Sequence, residues 1–147
     1  MIKDFFVDKF EYDFRSNKQW IEHLTNNEDQ LSEYITKSMS HIINVHHIWI
    51  HRLINQGQES YTWDHLPLDY WTKLAHENYL KTIEYLEQIE LNEKVNYHTE
   101  EGVLLSNTAI DILYHILNHS NYHRGQIAKE LRDLGLDAPS FNFISYK

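Results

Sequence analysis

The stretch Tyr114-His115-Ile116-Leu117-Asn118-His119-Ser120-Asn121-Tyr122-His123-Arg124-Gly125-Gln126 sets two histidines, His119 and His123, one helical turn apart. At about 100° per residue, positions i and i+4 differ by about 40° around a helix. Ile112, Ile116, His119, His123, Ile127 and Leu131 therefore fall on one slowly winding stripe. Thr108 followed by Asp111 is a capping pair that opens this helix, and Gly135 stands in the C′ position that closes it. The seam of this last long helix is apolar except for two imidazoles.

Upstream, the helical period gives way between Leu91 and Thr108. Lys94-Val95-Asn96-Tyr97-His98-Thr99, a Glu-Glu-Gly turn and Val103-Leu104-Leu105 predict a short β-hairpin or an extended crossover. Leu68 to about Ile89 reads as a third helix through Trp71, Leu74, Tyr79, Ile83, Leu86 and Ile89, preceded by a loop that holds Trp63, His65 and Pro67. A second helix passes through Leu31, Ile35, Met39, Ile42, Val45, Trp49 and Leu53. Asn27 with Gln30 three residues later is read as the capping box that opens it, and Gln56-Gly57-Gln58 as its end. The first helix, roughly Lys3 to Leu24, carries Phe5, Phe6, Phe10, Phe14, Trp20, Ile21 and Leu24 on a buried aromatic face. The tail from Leu136 to Lys147 contains Pro139 and is expected to pack Phe141, Phe143 and Ile144 back on the helices.

Four amphipathic helices of about 20 to 30 residues with one long connection predict an all-α fold, a four-helix bundle with the hairpin or crossover before its last helix. The 147 residues suffice for one domain spanning 1–147, and the scarcity of Gly (4) and Pro (2) favours long helices over a loop-rich or all-β chain. No internal repeat or low-complexity segment interrupts the pattern.

Charge and composition exclude several functions. A net charge of -9 gives no basic stripe for phosphate contact, so nucleic acid is not an expected partner. The chain has no cysteine, which removes disulfides, thiolate metal sites and a thiol nucleophile carried by the protein itself. No apolar run approaches the ~18 to 20 residues of a membrane span, and the N-terminus lacks the apolar core of a secretion signal. A cytoplasmic protein without membrane contact is expected.

Two histidines at i and i+4 on a buried face are either core residues, each satisfied by a hydrogen bond, or two ligands of one metal ion. An unpaired buried imidazole costs about 1 to 3 kcal/mol, which gives the pair a reason to share a ligand. Spacing leaves two choices open. His115, His119 and His123 form a ladder whose ends lie about 12 Å apart, so one ion cannot use both, and His119 belongs to either pair. On the second helix, His46 falls within the apolar face and His41 on its shoulder, and either ranks as a third ligand; His47 and His51 project to the face expected to meet water. Most of the 11 histidines are expected to be solvated.

Ser40-His41-Ile42-Ile43-Asn44-Val45-His46-His47-Ile48-Trp49-Ile50-His51-Arg52-Leu53, together with Leu117 to Gln126, resembles the DinB family, the DinB/YfiT-like metalloenzymes. The resemblance covers nearly the whole chain. Tyr12 and Asn17 match its first-helix pattern, Gly102 falls at its crossover glycine, and the block from His119 to Gln126 is its most specific motif. The resemblance implies a four-helix bundle holding a divalent metal ion, zinc or nickel, on three histidines. Carried over, those ligands are His41, eight residues before the matching Trp49, with His119 and His123. Asn142 stands where the resemblance leads one to expect an Asp.

Three neutral imidazoles leave at least one coordination position for water or substrate, the open arrangement of a catalytic site. The resemblance includes relatives that act as thiol-dependent transferases or isomerases. The expected function is accordingly a metal-dependent S-transferase that conjugates a low-molecular-weight thiol to a small-molecule substrate; a metal-assisted hydrolase and a non-catalytic metal-binding bundle are the alternatives. A homodimer is expected. Arg124 and Gln126 are read as capping or surface hydrogen-bonding residues that could also orient an anion or a ligand imidazole. Asn44 is read as a support for His41, and Trp49 as core. No Asp or Glu is singled out as a general base.

Overall fold

A computed structural model of the chain describes residues 1–88, 90–140 and 142–147. Its elements, in order, are α1 (Ile2–Asn26), a 3-10 turn (Glu28–Gln30), α2 (Glu33–Leu53), α3 (Leu68–Gln88), β1 (Lys94–His98), β2 (Leu104–Thr108), α4 (Ala109–Asp133) and a single turn α5 (Phe143–Tyr146). Along the bundle α1 packs on α3 and α2 on α4, with α2 also running beside α3. Among the described residues, no helix is long and apolar enough to cross a membrane. Ile89 and Phe141, assigned above to the third helix and the packed tail, lie outside the described residues.

The crossover is a hairpin. Strands β1 and β2 pair antiparallel from Lys94 opposite Thr108 to His98 opposite Leu104. Gly102 makes the tip possible with φ 84°, a left-handed conformation that costs glycine nothing sterically. Thr108 then caps α4, its side chain accepting from the Asp111 N–H. At the other end Gly135 (φ 77°) donates to Arg132 and Leu136 to Leu131, which satisfies the last carbonyls in a Schellman arrangement.

The start of α2 differs from expectation. Asn27 closes α1 instead of opening α2, because its side-chain amide donates back to the His23 carbonyl. The N-cap is Ser32, whose hydroxyl oxygen accepts from Ile35 N and whose hydrogen goes to Glu130 on α4. At the far end, just before the Gln56-Gly57-Gln58 read as the helix end, Asn55 takes a left-handed conformation (φ 56°), with Gln56 N returning to His51 O. Asn tolerates this conformation better than most residues. In the tail, Phe143 packs edge-on against Tyr12 (5.3 Å), while Ile144 is exposed, contrary to its expected burial. Phe5 is likewise half exposed rather than buried.

The apolar core is split in two. One half gathers Phe6, Phe10, Ile50, Leu86, Ile112 and Ile116; the other gathers Trp20, Leu24, Ile35, Met39, Trp71 and Leu131. Between them every long helix contributes buried polar side chains: Asp13 and Asn17 from α1, His41, Asn44 and His46 from α2, Asn78 and Thr82 from α3, Ser120 and Arg124 from α4. Burying such groups is tolerated only where they find partners. Asp13, Asn17 and Arg124 do so together: one guanidinium nitrogen, Nη1, donates to Asp13 Oδ1 at 2.8 Å and to Asn17 Oδ1 at 2.6 Å. The dry halves fix the helices, and the polar waist is where chemistry is placed.

Candidate metal centre

At the waist α4 presents His119 and His123 toward α2, which presents His41. One ring nitrogen from each lies within 4.8 Å of the others. His119 Nε2 and His41 Nε2 are 3.0 Å apart, and ring centroids separate His41 from His123 by 4.7 Å and His119 from His123 by 4.4 Å. Bonds of about 2.0 to 2.1 Å from two imidazoles to one ion would bring their nitrogens to about 2.9 Å at a right angle and about 3.3 Å at the tetrahedral angle. The observed separation fits one shared ion, and His41, His119 and His123 can hold it.

The tautomer of His41 is set from outside. Its Nδ1 lies 2.8 Å from the Thr62 carbonyl, which can only accept, so Nδ1 carries the proton and Nε2 keeps its lone pair for the centre. The Gln126 side chain lies beside His123 and favours its protonated form. Electrostatics favour neutral rings throughout. Burial, followed by the neighbouring His123, His41 and His115, pushes His119 down to about 3. Burial also lowers His41, against the raising effect of the Thr62 carbonyl. His123 is lowered by burial and then by His41. At neutral pH the three present lone pairs, not positive charges.

Residues 55–67, between α2 and α3, cover this region and are strapped to α2 by side chains. Ser40 Oγ donates to the Leu66 carbonyl, His41 to Thr62, and Asn44 to Asp64 (2.8 Å), while His47 Nε2 accepts from Glu59 N (2.9 Å). The hairpin adds a fifth tie: Glu100 accepts from both N and Oγ1 of Thr62. Thus positioned, the Trp63 ring stacks on the His41 imidazole at 3.7 Å and 6°. A groove of about 230 Å³ opens beside the cluster, walled by Trp49, Arg52, Thr62 and His115.

The structure brings His41, His119 and His123 together and places the other candidate histidines elsewhere. His115 is exposed, 5.9 Å from His119 between ring centroids and edge-on to Trp49 (5.3 Å), outside the cluster but on its groove. His46 is a core histidine: the Thr82 hydroxyl donates to Asn78 O, so it accepts from His46 Nε2 at 2.8 Å. His47 and His51 are not on a water-facing surface. His51 is buried, donating Nδ1–H to His47 O and lying 3.3 Å from Lys81 Nζ, and His47 is half-buried under the covering loop. Only four of the 11 histidines (His65, His76, His98 and His115) are exposed. Asn44 holds Asp64 instead of His41, and Arg124 is buried in an ion pair instead of lying on the surface.

The DinB family profile matches residues 15–147. The chain belongs to the DinB family. It is similar to YizA, an uncharacterized protein of Bacillus subtilis (strain 168), at 31% identity over 150 residues that cover 92% of this chain and 91% of that protein. In this DinB protein both α4 histidines of the motif reach the centre, joined by the shoulder histidine of α2. Sequence reasoning missed Thr62, Trp63 and Glu100. A backbone carbonyl leaves no trace in a side-chain pattern, but a tryptophan in a loop was a visible signal.

Proposed function

We propose that this DinB protein is a metal-dependent S-transferase, joining a small thiol to an electrophilic small molecule, with zinc or nickel held by His41, His119 and His123. One observation carries the reading: three neutral imidazoles converge beside an open groove, and no further His, Cys, Asp or Glu among the described residues joins them. Coordination positions are thereby left for an incoming ligand. When bound, the ion supplies Lewis acidity, which favours the thiolate form of a thiol and strengthens it as a nucleophile at neutral pH.

The chain's residues supply the rest. Thr62 holds the His41 ring in orientation, and Trp63 shields one face of it from water. His115, exposed but with its protonation disfavoured by partial desolvation, offers a lone pair on the groove wall to take the proton released by the thiol. Arg52, held over Trp49 (4.5 Å) and Tyr97 (4.8 Å), places a cation along the same wall. The absence of cysteine from the chain is consistent with a thiol that arrives as co-substrate. The test is turnover of a thiol-conjugation reporter such as monobromobimane with L-cysteine, in metal-loaded wild type and His119→Ala. Loss of rate in the variant supports the reading; equal rates remove it for that substrate class.

A further inference from the structure

A cavity of about 510 Å³ lies on the opposite flank of α4 from the histidines. Leu117 and Asn121, which line it, sit about 160° to 200° around the helix from His119. Its volume is in the range that takes small organic ligands. Aromatic rings of Phe5, Tyr12 and Phe143 wall it, and Asn118 and Asn121 stand along the α4 side. Its floor holds the ion pair of the polar waist, Arg124 at 4% exposure and Asp13 at 2%.

Arg124 has more donors than its partners use. Nη1 alone serves both Asp13 and Asn17, and neither Nε nor Nη2 donates to a described residue. Among the described residues, the buried side-chain atoms left without partners are Ser16 Oγ, Asn44 Oδ1 and Ser120 Oγ, so those two guanidinium nitrogens are not sealed in the core. A donor that is neither paired nor sealed on a cavity-lining residue is open to that cavity. The Nε/Nη2 edge is also the edge that grips a carboxylate with two parallel bonds.

The charge around the cavity agrees. Lys9 lies 4.4 Å from the Phe5 and Phe143 ring centroids and pairs with Asp8, which also pairs with Lys147. Among the residues that line the cavity, Lys9 and Arg124 against Asp13 leave one positive charge in excess, in a chain of net charge -9. An anion is matched in charge here, although the chain as a whole is acidic.

We propose that this cavity is a second ligand site, separate from the metal centre, for a small organic acid whose carboxylate meets Arg124 and whose apolar body lies among Phe5, Tyr12 and Phe143. The test is calorimetric titration of the full chain with benzoate, 3-phenylpropanoate and octanoate, each beside its uncharged amide. At least one acid binds about tenfold or more tightly over its amide, as a charge-assisted bidentate contact requires. Asn121→Phe, which fills the cavity from the exposed face of α4 without touching the ion pair, abolishes that binding; chelator treatment and His119→Ala leave it unchanged. Arg124→Gln is the direct variant, and Asn121→Phe stands in for it should the unpaired Asp13 prevent folding. Three results overturn the proposal: equal binding of acids and amides, binding that disappears with chelator or His119→Ala, or no binding by any acid. Sedimentation showing two copies closed over this face, with no acid bound, counts with the last.

Discussion

The indole of Trp63 lies flat on the imidazole of His41, 3.7 Å away and 6° from parallel, although Trp63 itself is 62% exposed. An exposed indole adds little to the fold, so its contribution is to the ring it covers. Trp63→Ala is expected to leave apo stability within about 0.5 kcal/mol and to weaken zinc or nickel binding by about tenfold, the scale of outer contacts that orient a ligand. Competition titration against a chromophoric chelator measures the second quantity, and chemical denaturation the first.

An ion at this centre ties α2 to α4, so occupancy and stability should rise together. One equivalent of zinc or nickel is expected in wild type, and almost none in His41→Ala or His119→Ala, by elemental analysis. Saturation at about a hundred times Kd adds about 2.7 kcal/mol, which for a chain of this size raises Tm by about 5 to 10 °C. A melting curve that ignores chelator would remove the bridge between the helices.

His46 makes the fold sensitive to acid. Burial pushes it down to about 4 in the folded chain, against an ordinary value of 6.5. Below pH 6.5 the unfolded chain takes up the proton and the folded chain does not, so stability is complete above 6.5 and falls as pH drops toward 4. At pH 5 the loss from this residue is about 2 kcal/mol. Urea denaturation at pH 8 and pH 5 should therefore show a pH dependence about 2 kcal/mol smaller in His46→Leu than in wild type.

The Asp13–Arg124 pair is 2.8 Å long and almost fully buried. Asp13→Ala strands the guanidinium in the waist and is expected to cost about 3 to 5 kcal/mol, whereas replacing both partners with apolar residues of similar volume should recover most of that loss. Denaturation of the two single variants and the double variant closes the cycle.

Much of this architecture was legible in the sequence because periodicity reports which faces are buried. The seam through Ile112, Ile116, Ile127 and Leu131 is core, and Thr108 and Gly135 bound α4 as read. The pairing of His41 with His119 and His123 came from resemblance, since a helical wheel ranks His46 equally well and cannot say which neighbour each ring meets. His47 and His51 show the limit of the wheel: the face that should meet water is covered by residues 55–67, a segment with no period of its own. Arg124 was misjudged for a similar reason, because its partners Asp13 and Asn17 lie on α1, more than a hundred residues earlier in the chain.

The straps from Ser40, His41, Asn44 and His47 to residues 55–67 have a dynamic consequence. His41 is at once a fastener of that segment and a donor to the centre, so peeling the segment away releases the Thr62 carbonyl and lets the ring turn. Local unfolding of this cover and release of a cation held there would therefore be linked equilibria, each promoting the other. A protease that nicks near Tyr61 would in effect be titrating the ion.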